Sequence, residues 1–246
     1  MDSLTNHVTI RNFKSDPIPE ELICQLLHSG IRASTTGNMQ WYSVIVTSEP
    51  DLKAGLAKLH FNQPAAVSAP VILTFCADIF RFNEWCTLNN AIPGYNNFMS
   101  FFNASIDTLL VAQNFCITAE NAGLGICYLG TVTYNAPEVI QLLGLPEMVV
   151  PVASLAVGWP ESTPELTDRL PLDIVIHRNR YKEYSDEEIR EAYKGKENLE
   201  SSINFVRVNN KENLAKVFTD VRYNKKDNEY FSARFLDAIR SQGFDM

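Results

Sequence analysis

Apolar residues follow helical spacing in some segments of the chain and form strand-like runs in others. Leucine and isoleucine recur at i, i+3 and i+4 over 22–27, directly after Pro19-Glu20-Glu21, and this predicts a helix that begins there. Runs rich in β-branched and aromatic residues predict strands instead. The predicted strands are 41–47, 70–76, 126–129 and 149–157. A further helix is predicted over 137–143, closed by Gly144.

The most apolar helical stretch is 103–123, with Asn103 as a candidate N-cap and Gly123 where a C-terminal cap belongs. Its apolar residues cover more than one face, so we expect this helix to be central and buried. They are Ile106, Leu109, Leu110, Val111, Phe115 and Ile117. Residues 81–102 are aromatic and rich in asparagine, with a turn signal at Pro93-Gly94. We predict an irregular segment or lid there.

The end of the chain is more charged and predicts further helices. Ser185 and Glu188 have capping-box spacing, which predicts a helix that begins near Glu187. A polar stretch follows over roughly 195–210. Residues 227–242 are amphipathic, with three apolar residues at four-residue spacing. These three are Phe231, Phe235 and Ile239.

Composition and charge exclude several classes of protein. The 246 residues are 46% hydrophobic, which excludes global disorder, and the net charge of −8 disfavours binding to nucleic acid or to an anionic membrane. The five cysteines have no CxxC spacing and favour buried thiols in a reducing compartment. We find no signal peptide and no membrane span. We therefore expect a cytoplasmic protein without a nucleic-acid or membrane partner.

Dispersed polar groups, rather than a compact motif, are the candidates for chemistry. The sequence has no GxSxG, HExxH, P-loop or GxGxxG, and its four histidines are far apart. We therefore expect neither a metal site nor a catalytic side chain. Polar residues beside glycines or in apolar surroundings fit a site that holds a cofactor.

The first candidate element is the segment 7–11. Strand-like alternation places His7, Thr9 and Arg11 on one side, with Val8 and Ile10 on the other. An imidazole, a hydroxyl and a guanidinium that point the same way suit a phosphate. An exposed edge strand with one polar face explains the same pattern, and the spacing alone does not decide between them.

Three more segments allow two interpretations each. The hydroxyl-rich loop 32–41 suits hydrogen bonds to a cofactor but also an ordinary turn. The end of the strand at 127–131 allows close approach of a flat ring at Gly130, or is simply a strand end. Arg169 is a candidate anion contact, or it pairs on the surface with Asp168 or Glu165.

Taken in order, these segments resemble the FMN-dependent nitroreductase family over about residues 5–185. The motifs are HVTIR, RASTTGNMQW, Gln63 before PVILTFCAD, GLGICYLG, and VGWPxxxPxxxxRLP. The last is most similar to the NAD(P)H:flavin oxidoreductase and oxygen-insensitive nitroreductase branch. The resemblance implies an α+β sandwich with a central, mainly antiparallel sheet flanked by helices. It also implies an intertwined homodimer with FMN at the subunit interface.

Carried over by position, the resemblance implies a set of FMN contacts. The phosphate segment is His7, Val8, Thr9 and Arg11, with Arg169 as a second phosphate contact. The loop contacts are Ser34, Thr35, Asn38 and Gln40, supplied by the partner subunit. The ring contacts are Gln63, Tyr128, Leu129, Gly130 and Thr131. Val8 and Thr167 stand where the branch usually has Arg and Lys, which weakens the phosphate site or shifts its burden to the remaining arginines.

The implied activity is ping-pong transfer of hydride from NADH or NADPH through flavin N5 to a nitroaromatic, a quinone or a flavin. We expect aromatic residues of 81–102 to line the acceptor pocket. They are Phe82, Trp85, Tyr95, Phe98 and Phe102. The alternatives are a flavin carrier or sensor without turnover, and a relative with other flavin chemistry such as reductive dehalogenation. We expect an FMN-binding core over 1–184 and a helical extension over 185–246, packed on the core or on the partner.

Overall fold

A computed structural model describes residues 2–246, which form two compact units. The first unit runs to Glu165 and resumes at Phe231, and the second is Leu166–Tyr230. The helices of the first unit before the break are α1 (Asp2–Thr5), α2 (Glu20–Gly30), α3 (Pro50–Leu59), α4 (Pro64–Ser68), α5 (Phe80–Leu88), α6 (Phe98–Asn121) and α7 (Ala136–Leu143). Those that follow are α8 (Leu172–Val175), α9 (Asp186–Glu197), α10 (Glu200–Val208), α11 (Leu214–Val217) and α12 (Lys225–Ser241).

A four-stranded antiparallel sheet forms the centre of the first unit. Its strands are β1 (Tyr42–Thr47), β2 (Val71–Asp78), β3 (Gly125–Tyr128) and β4 (Val149–Gly158). Their order across the sheet is β1-β2-β4-β3, and every neighbouring pair is antiparallel. The four predicted strands and the antiparallel sheet are therefore confirmed.

Helices cover both faces of this sheet, which confirms the predicted α+β sandwich. On one face, α2 and α6 pack on β2 and β4 through a core that includes Phe75, Phe115 and Leu155. On the other face, α3, α4 and α7 pack through a second core that includes Leu56, Ile72 and Val139. Strand residues alternate between the two cores because successive side chains of a strand point to opposite faces.

The prediction of an irregular segment over 81–102 is wrong, and that of a lid stays a prediction. Most of it is helical, since α5 covers 80–88 and α6 begins at Phe98, so that only 89–97 lie outside helices. Asn97 rather than Asn103 caps α6, and its Oδ1 accepts a hydrogen bond from the backbone N–H of Ser100. Two of its aromatic residues, Phe82 and Tyr95, pack against Trp41, which directly precedes β1.

The aromatic residues predicted to line the acceptor pocket differ in their packing, and that role stays a prediction. The rings of Phe82 and Tyr95 lie 5.8 and 5.2 Å from the ring of Trp41, between centroids. Phe82 and Tyr95 are thus structural partners of Trp41, which is buried. Trp85, Phe98 and Phe102 remain exposed. Edge-to-face and tilted aromatic pairs of this kind stabilise a core beyond the area that they bury.

Helix α6 is buried on one side only. Val111 and Phe115 are fully buried against the sheet, as predicted. Ile106, Leu109 and Leu110 are 40–44% exposed, so the prediction that they are buried is wrong within this chain. That face of the helix is thus partly open to solvent.

The second unit has the predicted capping box. Ser185 Oγ accepts from the backbone N–H of Glu188, while Glu188 Oε2 accepts from the backbone N–H of Ser185. Lys182 Nζ donates to the same carboxylate at 2.8 Å, and these bonds lower the pKa of Glu188 to about 2. The polar stretch after it contains α10. The predicted division of the chain at 184/185 stays a prediction.

The amphipathic stretch at the end of the chain forms α12, as predicted. From Phe231 onward this helix belongs to the first unit, where Ile239 and Phe244 join the core around Trp41. Arg234 of α12 donates to the carboxylate of Glu138 and to the backbone oxygen of Tyr134. Within residues 2–246, no helix is long and apolar enough to cross a membrane.

Candidate functional site

The N-terminal segment runs against the end of the sheet, at a place where two strands carry glycines. Gly125 of β3 is paired with Gly158 of β4. A Cβ atom at position 125 would lie 2.6 Å from Ile10 Cγ1, and one at position 158 would lie 2.9 Å from Phe13 Cδ1. These distances are too short for any side chain, so the glycines permit the approach. The backbone N–H of Ile10 donates to the carbonyl of Ile126 at 3.0 Å and fixes the position of the segment.

The alternation predicted for residues 7–11 is present, although they do not form a strand. Ile10 is buried and Val8 half-buried, and both pack on the core beneath α3 and α7. His7 and Thr9 are half-buried. The Nδ1 atom of His7 lies 2.5 Å from Oε1 of Glu120, near the end of α6. The edge-strand interpretation is therefore wrong, and the imidazole is held by a carboxylate.

Arg11 is exposed and forms no ion pair with any residue of the range 2–246. It directly follows Ile10, whose backbone bonds to Ile126, so the chain brings Arg11 to the β3 strand although the two are more than a hundred positions apart. Burial raises the pKa of the Cys127 thiol, and the charge of Arg11 lowers it. An unpaired guanidinium near the end of the sheet suits an anionic ligand.

The end of β3 presents backbone rather than side chains. Tyr128 is 39% exposed. Its hydroxyl lies against the thiol of Cys116, and burial raises the pKa of the Tyr128 hydroxyl. Leu129 is buried. Gly130 begins a single turn of 3₁₀ helix, and no atom beyond its chain neighbours lies within 4 Å of the position of a Cβ there. The backbone at Gly130 is therefore open to close approach by a flat ring.

Gln63 and Thr131, which the resemblance places at the ring, are in contact. Gln63 Nε2 donates to Thr131 Oγ1 at 3.2 Å. The same hydroxyl lies 2.8 Å from Nδ1 of His60, a residue that is fully buried. Between His60 and Gln63, Phe61 and Asn62 have φ values of 56° and 52°. Two consecutive left-handed residues that are not glycine are strained, and such strain is frequent at functional sites.

The predicted loop contacts lie on a second segment of the first unit, held by Asp107. This carboxylate is buried in α6 and accepts from Thr35 Oγ1 at 2.5 Å. It also accepts from the backbone N–H and the hydroxyl of Thr36, each at 2.9 Å. Ser34 and Asn38 are exposed, and Asn38 and Gln40 have left-handed φ values of 57° and 55°.

Arg81 holds the other end of this loop. Its Nη2 donates to the carbonyl of Gln40 at 2.6 Å and to that of Tyr42 at 3.1 Å. The loop is thus fixed from both sides by charged groups, and it presents Ser34 and Asn38 outward. None of its hydrogen bonds within residues 2–246 reaches the Gln63–Thr131 pair.

Arg169 belongs to the second unit and is exposed. Its Nη1 donates to the hydroxyl of Thr167 at 2.8 Å and to the backbone carbonyl of Asp168 at 2.9 Å. The carboxylate of Asp168 pairs instead with Lys196, at 2.8 Å. The alternative that Arg169 is neutralised by a surface acid is therefore wrong among the described residues.

Two residues near the predicted contacts were missed by sequence reasoning. Asp107 carried a signal, because it is the one charged residue between Phe98 and Ala119 in a strongly apolar helix. His60 carried none, since a single histidine near a helix end does not indicate burial. No group of three or more His, Cys, Asp or Glu residues within 2–246 is arranged to hold a metal ion.

The burial of His60 predicts a specific dependence of stability on pH. Burial lowers the pKa of His60 to about 4, against about 6.5 in the unfolded chain. Between these values only the unfolded state binds the proton, so acidification through this window favours unfolding. We expect His60 to account for a loss of about 3 kcal/mol of unfolding free energy between pH 7 and pH 4.

Urea unfolding at pH 7 and pH 4 measures this loss. The His60→Asn variant should lose less stability on acidification than the wild type, by roughly that amount. His28→Asn, at an exposed histidine, serves as the control and should behave as the wild type. Equal pH dependence of all three proteins would contradict the assignment of a buried neutral His60.

Comparison with known proteins agrees with this geometry. The model of the nitroreductase family matches residues 4–159. A Bacillus subtilis (strain 168) protein named FMN reductase (NADPH) is 34% identical over 189 residues, which cover 76% of each chain. A solved structure from Bacteroides fragilis NCTC 9343 has a TM-score of 0.98 at 50% identity, over the whole of both chains. The NADPH:FMN oxidoreductase of Vibrio harveyi, solved with NAD+, has a TM-score of 0.77 at 26% identity, over 99% of this chain and 97% of its own. The chain therefore belongs to the nitroreductase family.

Proposed function

We propose that the protein is an FMN-dependent oxidoreductase that passes hydride from NADPH or NADH to a small acceptor by a ping-pong reaction. The acceptor classes are nitroaromatics, quinones and free flavins. The observation that carries this proposal is the unpaired Arg11 on the segment that is hydrogen-bonded to β3, the strand that leads to the open backbone at Gly130. The names of the B. subtilis and V. harveyi relatives, which specify FMN and NADPH, support it.

The residues of the first unit fit FMN by their chemistry. A phosphate needs an uncompensated cation, which Arg11 supplies. A flat ring needs a surface without projecting side chains, and Gly130 supplies it. The polar edge of the ring needs hydrogen-bonding groups, and Gln63 and Thr131 lie together there.

Each predicted contact receives a role in this proposal. When bound, FMN supplies the redox chemistry, accepting and donating the hydride. Arg11, with His7 and Thr9, holds the phosphate. The role of Arg169 as a second phosphate contact stays a prediction. Gln63 and the segment 128–131 orient the ring. The contacts of the loop that Asp107 holds, at Ser34, Thr35, Asn38 and Gln40, come from the partner subunit.

Val8 and Thr167, which stand where related flavin oxidoreductases usually have Arg and Lys, act differently. Val8 packs in the core, where it replaces a cation by an apolar contact. Thr167 accepts a hydrogen bond from the guanidinium of Arg169 and so restrains that side chain. Within the first unit, the proposed phosphate site thus relies on Arg11.

We also propose that the protein is a homodimer that buries the exposed face of α6. Phe98, Phe102, Ile106, Leu109 and Leu110 recur at three- and four-residue spacing and are 40–51% exposed. The first two rings stack at 5.9 Å between centroids. A continuous apolar stripe along a central helix is typical of a subunit interface.

The absorption spectrum of the purified protein tests the proposed activity. We expect the protein to bind FMN and to show the visible bands of protein-bound oxidised flavin. Anaerobic addition of NADPH or NADH should bleach these bands, and a quinone should restore them. Protein that binds FMN but is not reduced by either nicotinamide would instead support the carrier or sensor alternative. Protein that takes up no FMN would exclude the proposal.

The phosphate assignment predicts the effect of removing Arg11. A charge-assisted contact to phosphate contributes about 1.5–3 kcal/mol, so Arg11→Ala should weaken FMN binding by roughly 10- to 100-fold. Quenching of FMN fluorescence on addition to the apoprotein measures this affinity. Arg240→Ala, at an exposed arginine paired with Asp237, is the matched control. Equal affinity of the two variants would refute the role of Arg11.

The dimer proposal predicts that a charge on the α6 stripe separates the subunits. Leu110→Glu should give a monomer in sedimentation, because the buried carboxylate would have no partner. It should also weaken FMN binding by about tenfold or more, since the loop contacts come from the partner. Leu52→Glu, at a similarly exposed leucine of α3, should remain dimeric. A dimeric Leu110→Glu variant would be incompatible with this interface.

A further inference from the structure

The hydroxyl of Thr131 contacts two nitrogen atoms, and these contacts determine which hydrogen bonds its own proton can form. Its oxygen is 3.2 Å from Gln63 Nε2 and 2.8 Å from His60 Nδ1. An amide nitrogen only donates, so the contact with Gln63 uses one acceptor site of the hydroxyl. The direction of the contact with His60 depends on which imidazole nitrogen carries the proton.

Burial determines the charge of His60. The residue has no exposed surface, and burial lowers its pKa to about 4, so the imidazole is neutral at pH 7. A neutral imidazole has one N–H and one acceptor nitrogen. Either Nδ1–H donates to Thr131, or Nε2 carries the proton and Nδ1 accepts from it.

The surroundings of Nε2 favour the first arrangement. This atom is closed off from solvent and has no hydrogen-bond partner within residues 2–246. A proton on Nε2 would therefore be a buried N–H without an acceptor, which is among the rarest defects in folded proteins. The proton belongs on Nδ1, which donates to Thr131. The Thr131 oxygen then accepts twice, and its own proton has no acceptor among the described residues.

The backbone is strained to create this arrangement. Phe61 and Asn62 both adopt left-handed conformations between α3 and α4. Through them, His60 and Gln63 reach the same hydroxyl from two successive helix ends. Thr131 directly follows Gly130, where the backbone is open.

We propose that His60 is a positioning residue that commits the Thr131 hydroxyl to donate a hydrogen bond to an acceptor atom of the bound flavin ring. This inference rests on the proposed function. A reduced flavin carries more negative charge on its polar edge than the oxidised form, so a fixed donor there stabilises the reduced form more. His60 and Thr131 thereby raise the reduction potential of the flavin.

Four variants separate this role from simple packing. Thr131→Val removes the hydroxyl and keeps the shape of the side chain, whereas Thr131→Ser keeps the hydroxyl. His60→Phe removes the donor, whereas His60→Asn places an amide N–H near the position of Nδ1. The measurements are the midpoint potential of the bound flavin, the dissociation constant for oxidised FMN, and the melting temperature of the apoprotein.

We expect Thr131→Val and His60→Phe each to favour the oxidised flavin about tenfold, which lowers a two-electron potential by about 30 mV. The double variant should show little further change, because both substitutions remove the same donor. Thr131→Ser and His60→Asn should retain the wild-type potential. A purely structural role would lower the melting temperature and leave the potential unchanged.

The outcomes also separate this inference from the proposed function. Wild-type protein that takes up no FMN refutes both. Wild-type protein that binds FMN, together with a Thr131→Val variant of unchanged potential, refutes only the role of the hydroxyl. If His60→Phe does not fold, the Thr131→Val and His60→Asn variants decide the matter.

Discussion

The close approach of the N-terminal segment to the paired glycines of β3 and β4 is the constraint on which the candidate site depends. With a side chain at Gly125, Ile10 could not reach the edge of the sheet, since a Cβ would lie 2.6 Å from it. Because Ile10 is fixed there, the chain brings Arg11 to β3 and His7 reaches Glu120. Two glycines thus join the beginning of the chain to the end of its longest helix and to the strand that leads to Thr131.

Much of the fold could be predicted from the sequence, because strands and amphipathic helices leave a local pattern. The four strands and α7 begin and end close to their predicted positions, and α2 and α9 begin close to theirs. The error at 81–102 has a physical cause. Phe82 of α5 packs against Trp41, far away in sequence, and a local pattern does not show such a contact. The predicted cap Asn103 lies inside α6, which already begins at Phe98.

The candidate site was predictable in its segments but not in its pairings. The polar side of 7–11 and the open backbone at Gly130 follow from alternation and from residue type. The hydrogen bond between the Thr131 hydroxyl and His60, 71 positions away, does not follow from either of these patterns. Asp107 shows the difference between a residue that stands out and its partners. Its isolation among apolar residues is a signal that the sequence contains, whereas its partners Thr35 and Thr36 are evident only from the structure.

The first unit has few cations, and this affects how much of the proposed FMN affinity comes from the phosphate and how much from the ring. Between Lys58 and Arg169 the one basic residue is Arg81, which is engaged with the Gln40 loop. Val8 adds no charge, and Thr167 contributes by restraining Arg169 rather than by a charge of its own. Phosphate binding by few cations is weaker, since each charged contact contributes separately. In the proposed site the ring would then supply a larger share of the binding energy. We propose that Gln63 and Thr131, next to the strained turn at Phe61 and Asn62, provide it, because a rigid set of hydrogen-bonding groups loses little entropy on binding.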